Sequence, residues 1–392
     1  MTRADDPLGT QVDTVNKASD DTAGKQARIL LHSQRDLYSN IHFRLGLYEF
    51  EDIISQIDSI DMLAPQRENW FKYGTRIANR LASYHNTSIN PGISKIKVQK
   101  NYDLFFAVVS FPRDLLNLKY LEGWKDRCKT SICWLNEIWV RDIARTKYYL
   151  RLLKDFDYII LQCAGSIKAV QEVVKTKSLY SPYGIDAILF CPYPNAPRRV
   201  IDVYSIGRRS EETHRTLLRM GRENKMFYVY DTMAGDKVLN TTEHRTQFAN
   251  MAKRSRYFIA NPGKADLSEE IEGQVEFGNR FFEGAASGMI MIGETPNNDK
   301  FEKVFGWKDA VVHLPFGSQK IDAIIDELDN DPVRQENIRR NNIVQSLLRH
   351  DWVYRWEAIL KIAGLQPMPE LLERKQRLAN LAKIVEDEPT VP

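Results

Sequence analysis

The sequence predicts an α/β fold made of two consecutive units, each with a largely parallel sheet. Three observations predict it. Short apolar runs alternate with helical patterns from residue 28 onward. The alternation pauses once, at a proline-rich stretch. It then resumes with the same rhythm. A chain of 392 residues accommodates two such units with a sizeable core in each. With 43% hydrophobic and 27% charged residues it has the composition of a soluble globular protein. The net charge of +3 is too small to argue for a nucleic-acid partner.

The elements follow in order. Residues 1–27 are polar and lack the apolar stretch of a signal peptide, and they read as a disordered tail. In the first unit, residues 28–190, strands are expected at Ile29–His32, Leu104–Ser110, Ser131–Leu135 and Tyr158–Cys163. Helical patterns fall at Trp70–Tyr84, Val140–Leu153 and Ser166–Lys175. The stretch 181–200 carries four prolines and a glycine, which suits a connection between units. The second unit, residues 191–365, is expected to place strands at Val203–Ile206, Phe227–Tyr230, Tyr257–Ala260, Met289–Ile292 and Ala310–Leu314. Its helices fall near Glu211–Glu223, Glu243–Ser255, Arg280–Ser287 and Ile321–Leu328, and the stretch to Gly364 is mostly helical. A charged helix and an acidic tail, residues 366–392, close the chain. Open parallel sheets bind ligands at the carboxyl ends of their strands, so two Rossmann-like units facing one another would enclose a cleft.

Other classes are excluded or left without support. No apolar run approaches the roughly 18 residues of a membrane helix, so a cytoplasmic location is expected, and peripheral attachment to a membrane remains compatible with it. The four cysteines have no metal-ligand spacing and read as reduced thiols, with Cys133 and Cys163 in apolar strands. The seven histidines are scattered. G-x-G-x-x-G after a strand, the P-loop, H-E-x-x-H and G-x-S-x-G are all absent. Asp155-Phe156-Asp157 has the D-x-D spacing of metal-dependent sugar transferases, but it precedes a strand, at the wrong end of the sheet, and reads as a helix-to-strand turn. No metal or cofactor is expected.

Two stretches carry candidate chemistry. In GNRFFEGAASGMIMIGE, residues 278–294, Asn279 is a fair helix N-cap, Gly288 fits the position after the helix, and the small residues between allow close packing on a sheet. Arg280 and Glu283 lie three apart near the helix start, where N–H groups favour anions. A phosphate could meet Arg280 and the backbone, and Glu283 could accept hydrogen bonds from ribose hydroxyls. The alternative is an Arg–Glu surface pair on a core helix. The second stretch, residues 197–222, holds Arg198, Arg199, Arg208, Arg209, Arg215, Arg219 and Arg222. A strand there runs into Gly207-Arg208-Arg209 and then a helix, a turn that suits phosphate, and guanidinium forks match phosphate oxygens. Arg215, Arg219 and Arg222, at helical spacing, read as a solvated basic face.

These residues resemble a known family. EFGNRFFEGAASGMIMIGE is similar to the donor-binding segment of GT-B glycosyltransferases of the group-1 and family-4-like kind, including the spore-maturation type with R-x-F-E-x-x-A-x-G. Arg280, Phe282, Glu283, Ala286 and Gly288 are in register with it. IDVYSIGRRSEETH resembles the strand and Gly-Arg turn that open the donor domain, and Tyr183-Gly184-Ile185-Asp186 resembles the element before it. The resemblance covers residues 176–362. The first unit matches only in its α/β pattern.

The resemblance implies a GT-B fold and transfer of a sugar from a nucleotide diphosphate sugar to a hydroxyl acceptor, retaining and metal-independent, in glycan or polysaccharide biosynthesis. Gly207, Arg208, Arg209, Arg280 and Glu283 are implied as donor-binding. In the E-x7-E motif Glu283 takes the ribose-binding place. Glu276 is nearest to the first, catalytic glutamate, although the spacing here is one residue short. The lysine that follows the arginine of the turn has no clear counterpart; Arg215 or His214 stands nearest. The acceptor, a glycan, lipid-linked sugar or protein, is expected on the first unit, with His32, Ser33, Asn40 and Asn136 as binding candidates and Glu137 as the carboxylate nearest its hydroxyl. Two other readings stand beside this one: a non-catalytic GT-B interaction protein, and a nucleotide-sugar epimerase.

Overall fold

The computed structural model describes residues 27–388 except 36, 39–41, 88, 233–237 and 239. The expected tail up to residue 26 and the candidate Asn40 therefore lie outside the described residues.

The first unit carries a six-stranded sheet. Its strands are β1 (Ile29–His32), β2 (Ile60–Leu63), β3 (Tyr102–Val109), β4 (Cys128–Leu135), β5 (Tyr158–Leu161) and β6 (Lys177–Tyr180). All pair in parallel, in the order β2-β1-β3-β4-β5-β6. The second unit carries β7 (Ile201–Ser205), β8 (Tyr228–Tyr230), β9 (Ser255–Ile259), β10 (Ile290–Gly293) and β11 (Val312–His313). These are again parallel, in the order β8-β7-β9-β10-β11. Both orders reverse direction once, between β1 and β3 and between β7 and β9. Ligand crevices of doubly wound sheets open at the carboxyl ends of such strands. Helices cover both faces, so the central strands read as near-continuous apolar runs: β3 and β10 are almost wholly buried, and β4 is buried from Ser131 to Leu135.

Differences from the expected elements lie where a polar or uniformly buried segment hides its type. The edge strands β2 (IDML) and β6 (KSLY) carry too little apolar pattern to be read. Of the helix Leu45–Ile57 only a start, at Asn40, was anticipated, and not its extent. This helix is buried nearly all round, glutamates included, and so shows no one-sided apolar stripe. Cys163 lies just past β5, not within a strand, and all four thiols are free.

The final helices return to the first unit. Trp352, on the helix Trp352–Ile362, stacks on Phe50 with ring centroids 4.5 Å apart and meets Trp134 edge-on, while Trp356 packs on Phe106. The last helix, Pro369–Asp387, lies against both Leu45–Ile57 and Pro332–Arg349. The Tyr183–Asp186 segment is the anchor for this return. Ile185 bridges Asp351, and Arg374 binds Asp186 at 2.8 Å and Asp351 at 2.7 Å. A Cβ on Gly184 would stand 2.4 Å from the Trp352 ring. Gly184→Ala is therefore expected to cost about 1–3 kcal/mol by overpacking. Urea denaturation would check this, and an unchanged midpoint would mean that Trp352 is free to move aside.

Candidate active site at the facing strand ends

The helix Asn279–Ala286 is held tightly on its sheet. A Cβ on Gly284 would come within 2.7 Å of Met291 Sδ on β10, so the glycine permits the contact. Gly288, at φ +66°, ends the helix as expected. The start differs: Gly278 is the cap, with no side-chain cap bond, and Asn279 is the first helical residue.

Glu283 is not at the open mouth of this helix. It is fully buried (0% exposed), and both its oxygens are taken. Arg245 Nη1 donates to Oε1 at 2.6 Å, and Arg280 Nη1 donates to Oε2 at 2.7 Å. Burial alone would raise its pKa, but the guanidinium groups of Arg280 and Arg245 hold it below the ordinary carboxylate range. Arg245 Nε in turn donates to Glu49 Oε2 at 2.7 Å, across the boundary between the units. Glu49 also accepts from the Asp186 amide and from Trp352 Nε1. A buried chain Arg280–Glu283–Arg245–Glu49 thus links the two units. The expected contact of Glu283 with ribose is not open in this arrangement, because the carboxylate is shielded and paired.

Arg280 itself reaches the ligand edge. Its side chain is a quarter exposed, and its Nη2 lies 3.7 Å from where a Cβ would stand on Gly207. Gly207 has φ +83° and its amide donates to Asp231 Oδ2 at 3.2 Å. Beside it, Arg208 pairs with Asp266 at 2.6 Å, and Arg209 donates to the Asp231 carbonyl and rests on the Tyr230 ring. Gly207, Arg208, Arg209 and Arg280 are therefore brought to one place, the carboxyl end of β7 at the switch point.

Three other arginines of the cluster, and His214, are engaged elsewhere. Arg199 is half-buried and ties the carbonyls of Ser255 and Ser287. Arg215 and Arg219 make exposed pairs with Glu211 and Asp322. His214, considered for the missing lysine, packs on Tyr228, with which it shares a 2.9 Å hydrogen bond. Lys264, on the loop after β9, is a cation that the motifs did not single out. It lies 4.3 Å from the Trp139 ring centroid and 3.3 Å from Glu137 Oε1. No fixed spacing links it to Glu137, so only the fold brings the two together.

Glu276 stands at the contact between the units. Its oxygens accept from the amides of Ala164 and Gly165, at 3.0 and 2.8 Å, and from Gln274. It caps the helical segment after β5, and burial raises its pKa. Its carboxylate is committed to that cap, which does not suit the catalytic place implied by the motif.

On the first unit, His32 and Ser33 do not face the cleft. Both are fully buried below the β1 end. His32 Nδ1 meets Tyr120 Oη, and Ser33 Oγ donates to Glu51 at 2.6 Å. Neither can touch an acceptor in this arrangement. Asn136 and Glu137 do lie at the carboxyl end of β4. Asn136 Oδ1 is buried without a hydrogen-bond partner among the described residues, and Glu137 remains about a third exposed. A cavity of about 130 Å³ at the ends of β1 and β3 is lined by Tyr38, Arg44, Thr75, Asn79, Arg113 and Asn117. Arg44 is almost wholly buried there, paired with Asp114 and lying over the Tyr38 ring, and its Nε has no partner among the described residues. A larger hollow of about 650 Å³ runs along the helix Thr241–Lys253, whose residues, with Arg254, line it among the described residues. Asp155 and Asp157 fix the turn before β5, through Lys125 and Ser131. No cluster of His, Cys, Asp and Glu that could hold a metal occurs among the described residues.

The corner below β1 has opposed titrations. Burial lowers the His32 pKa from 6.5 to about 3, and burial raises Glu51 from 4.5 to about 7 against the opposing pull of Arg35. Stability linked to His32 is present above 6.5 and is lost as pH falls. Stability linked to Glu51 is present below 4.5 and is lost as pH rises toward 7. The two offset one another between pH 4.5 and 6.5. Glu51→Gln is expected to expose the His32 slope, so the variant loses up to about 1.4 kcal/mol more than wild type per unit of acidification. Denaturation at several pH values across that window checks it; parallel profiles would refute the assignment.

Two doubly wound units, facing across strand ends with a cationic switch-point turn on the second, have the layout of the GT-B fold. Residues 211–361 match the family described as Glycosyl transferase-like. Among solved structures, the chain is similar to HepE of Anabaena, solved with UDP-glucose, at 12% identity, covering 90% of this chain and 98% of that one, with a TM-score of 0.44. An α-glucosyltransferase solved with UDP-glucose and DNA shows 10% identity, coverage of 86% and 98%, and a TM-score of 0.49. An α,α-trehalose-phosphate synthase from Burkholderia vietnamiensis shows 10% identity, coverage of 83% and 84%, and a TM-score of 0.44. No curated protein sequence matches the chain.

Proposed function

We propose that the protein transfers a sugar from a nucleotide diphosphate sugar to a hydroxyl acceptor. The observation that carries this reading is the placement of Arg280 against the Gly207 turn, with Arg208 and Arg209 beside it. A diphosphate leaving group develops negative charge, and fixed guanidinium groups at a switch point stabilise it as it forms. In this reading the cations do so without a metal, and Glu283 acts by holding Arg280 in place. Retention at the anomeric carbon and a role in glycan or polysaccharide synthesis belong to the same reading, supported by the resemblance of the donor-binding segment. Glu137, with Lys264 opposite, is the carboxylate nearest the acceptor hydroxyl, and the cavity around Arg44 accommodates the acceptor. Closure of the units brings the substrates together and excludes water.

Titration calorimetry with UDP, GDP, ADP and TDP tests the reading: one diphosphate should bind, and its identity names the base. A second reading, a non-catalytic GT-B interaction protein, draws on the full engagement of Glu283 and Glu276. It predicts that none of the four binds to the folded chain.

A further inference from the structure

The helix Phe71–His85, FKYGTRIANRLASYH, contains no acidic residue. Its inner face, Phe71, Gly74, Ala78 and Ala82, is buried, and it packs against the helix Val140–Leu150. The outer face carries two adjacent ridges. Lys72, Arg76 and Arg80 recur every fourth residue and form one of them. Tyr73, Ile77 and Tyr84, at 66%, 51% and 77% exposure, form the other. Trp70, 43% exposed, lies just before the helix. A Cβ on Gly74 would stand 2.4 Å from the indole, so the glycine lets that ring lie flat against the helix. Trp70 also donates to Glu68, the acidic residue nearest to it in sequence.

None of Lys72, Arg76 and Arg80 forms an ion pair among the described residues. Elsewhere the arginines of this chain are extensively paired, as Arg35, Arg245, Arg334 and Arg374 show. Large apolar side chains left exposed in a row, flanked by unpaired cations, are the composition of a helix that lies in a membrane interface. The rings and Ile77 enter the headgroup boundary, and the long cationic side chains reach the anionic headgroups. A second copy of this chain fits poorly, because a two-fold pairing of the ridge would oppose cation to cation.

We propose that Phe71–His85, with Trp70, is a docking surface for an anionic lipid bilayer. The opposite edge of the same helix supplies Thr75 and Asn79 to the cavity around Arg44. Docking therefore sets that cavity about one helix diameter, roughly 10–12 Å, from the headgroups. If the transferase reading holds, the acceptor is one carried by a lipid; docking itself does not depend on that reading.

The full chain is sedimented with extruded vesicles of phosphatidylcholine alone, or with about 30% phosphatidylglycerol to supply anionic headgroups. No nucleotide is present, so a negative result here is separable from failure of the donor site. Wild type should pellet with the anionic vesicles only, less so as salt rises. Lys72→Glu, Arg76→Glu and Arg80→Glu together should lower partition by roughly 100-fold or more. Tyr73→Ser with Ile77→Ser should weaken it while keeping the preference for anionic lipid. All these positions are exposed; thermal melts confirm folding, and the milder Arg76→Gln with Arg80→Gln gives the same reading at smaller amplitude. Equal binding to neutral vesicles, or binding unchanged by charge reversal, overturns the proposal. So does a ridge-dependent dimer in sedimentation velocity, or binding of an oligonucleotide with no vesicle binding.

Discussion

Arg245→Met is expected to destabilise the folded chain by about 3–5 kcal/mol, the scale for removing one partner from a buried ion pair. Arg245 is the central cation of the chain that joins the units, giving Nε to Glu49 and Nη1 to Glu283. Both carboxylates stay buried after the substitution. Glu283 keeps Arg280, whereas Glu49 keeps only the Asp186 amide and the Trp352 indole. The uncompensated charge is thus mainly that of Glu49, on the first unit. Adding Glu49→Gln should recover part of the loss, because the amide keeps acceptor capacity without a charge. Denaturant unfolding of wild type, single and double variants measures both effects. A single-variant loss below about 1 kcal/mol, the range of exposed pairs, would mean that water reaches this network and that the units are not locked through it.

Arg280→Ala should act on binding instead. Its side chain is a quarter exposed, and after its removal Glu283 still has Arg245. Stability should therefore fall less than in Arg245→Met. On the proposed donor reading, affinity for the nucleoside diphosphate should drop by about 1.5–3 kcal/mol, the scale for hydrogen bonds to charged groups. Arg280→Lys should restore little of this, since a lysine keeps the charge but not the planar fork. Calorimetry on both variants, beside Arg208→Ala with Arg209→Ala, locates the site. Loss in both sets supports a diphosphate held between the turn and the helix. Loss only in the Arg208 and Arg209 pair would move it onto the turn and leave Arg280 as the partner of Glu283.

The helix-to-strand unit around Glu283 was readable because its small residues and Gly288 state their packing directly. The strand before Gly207 was readable because it is apolar and ends at a turn that glycine favours. The burial of Glu283 was not readable. Two residues, Arg280 and Glu283, three apart on a helix look like a surface pair unless the third partner is known. That partner, Arg245, lies on the helix Thr241–Lys253, and Glu49 lies on a helix of which the sequence disclosed only a start. His32 and Ser33 were placed at the correct strand end but on the wrong side of it. A position after a strand does not say whether Tyr120 and Glu51 will cover it.

The sequence by itself determined the α/β class, the two units, the pause between them and the cationic turn with its neighbouring helix. These depend on local periodicity, on glycine at left-handed turns and on residues close along the chain. Tertiary structure alone decided that the last helices return to fill the core of the first unit, that Lys264 meets Glu137, and that Glu276 caps a helix of the opposite unit. It also decided that Glu283 is enclosed between two arginines. Each of these is a contact between segments far apart in the chain, and burial, charge compensation and hydrogen-bond satisfaction are settled only where such segments meet.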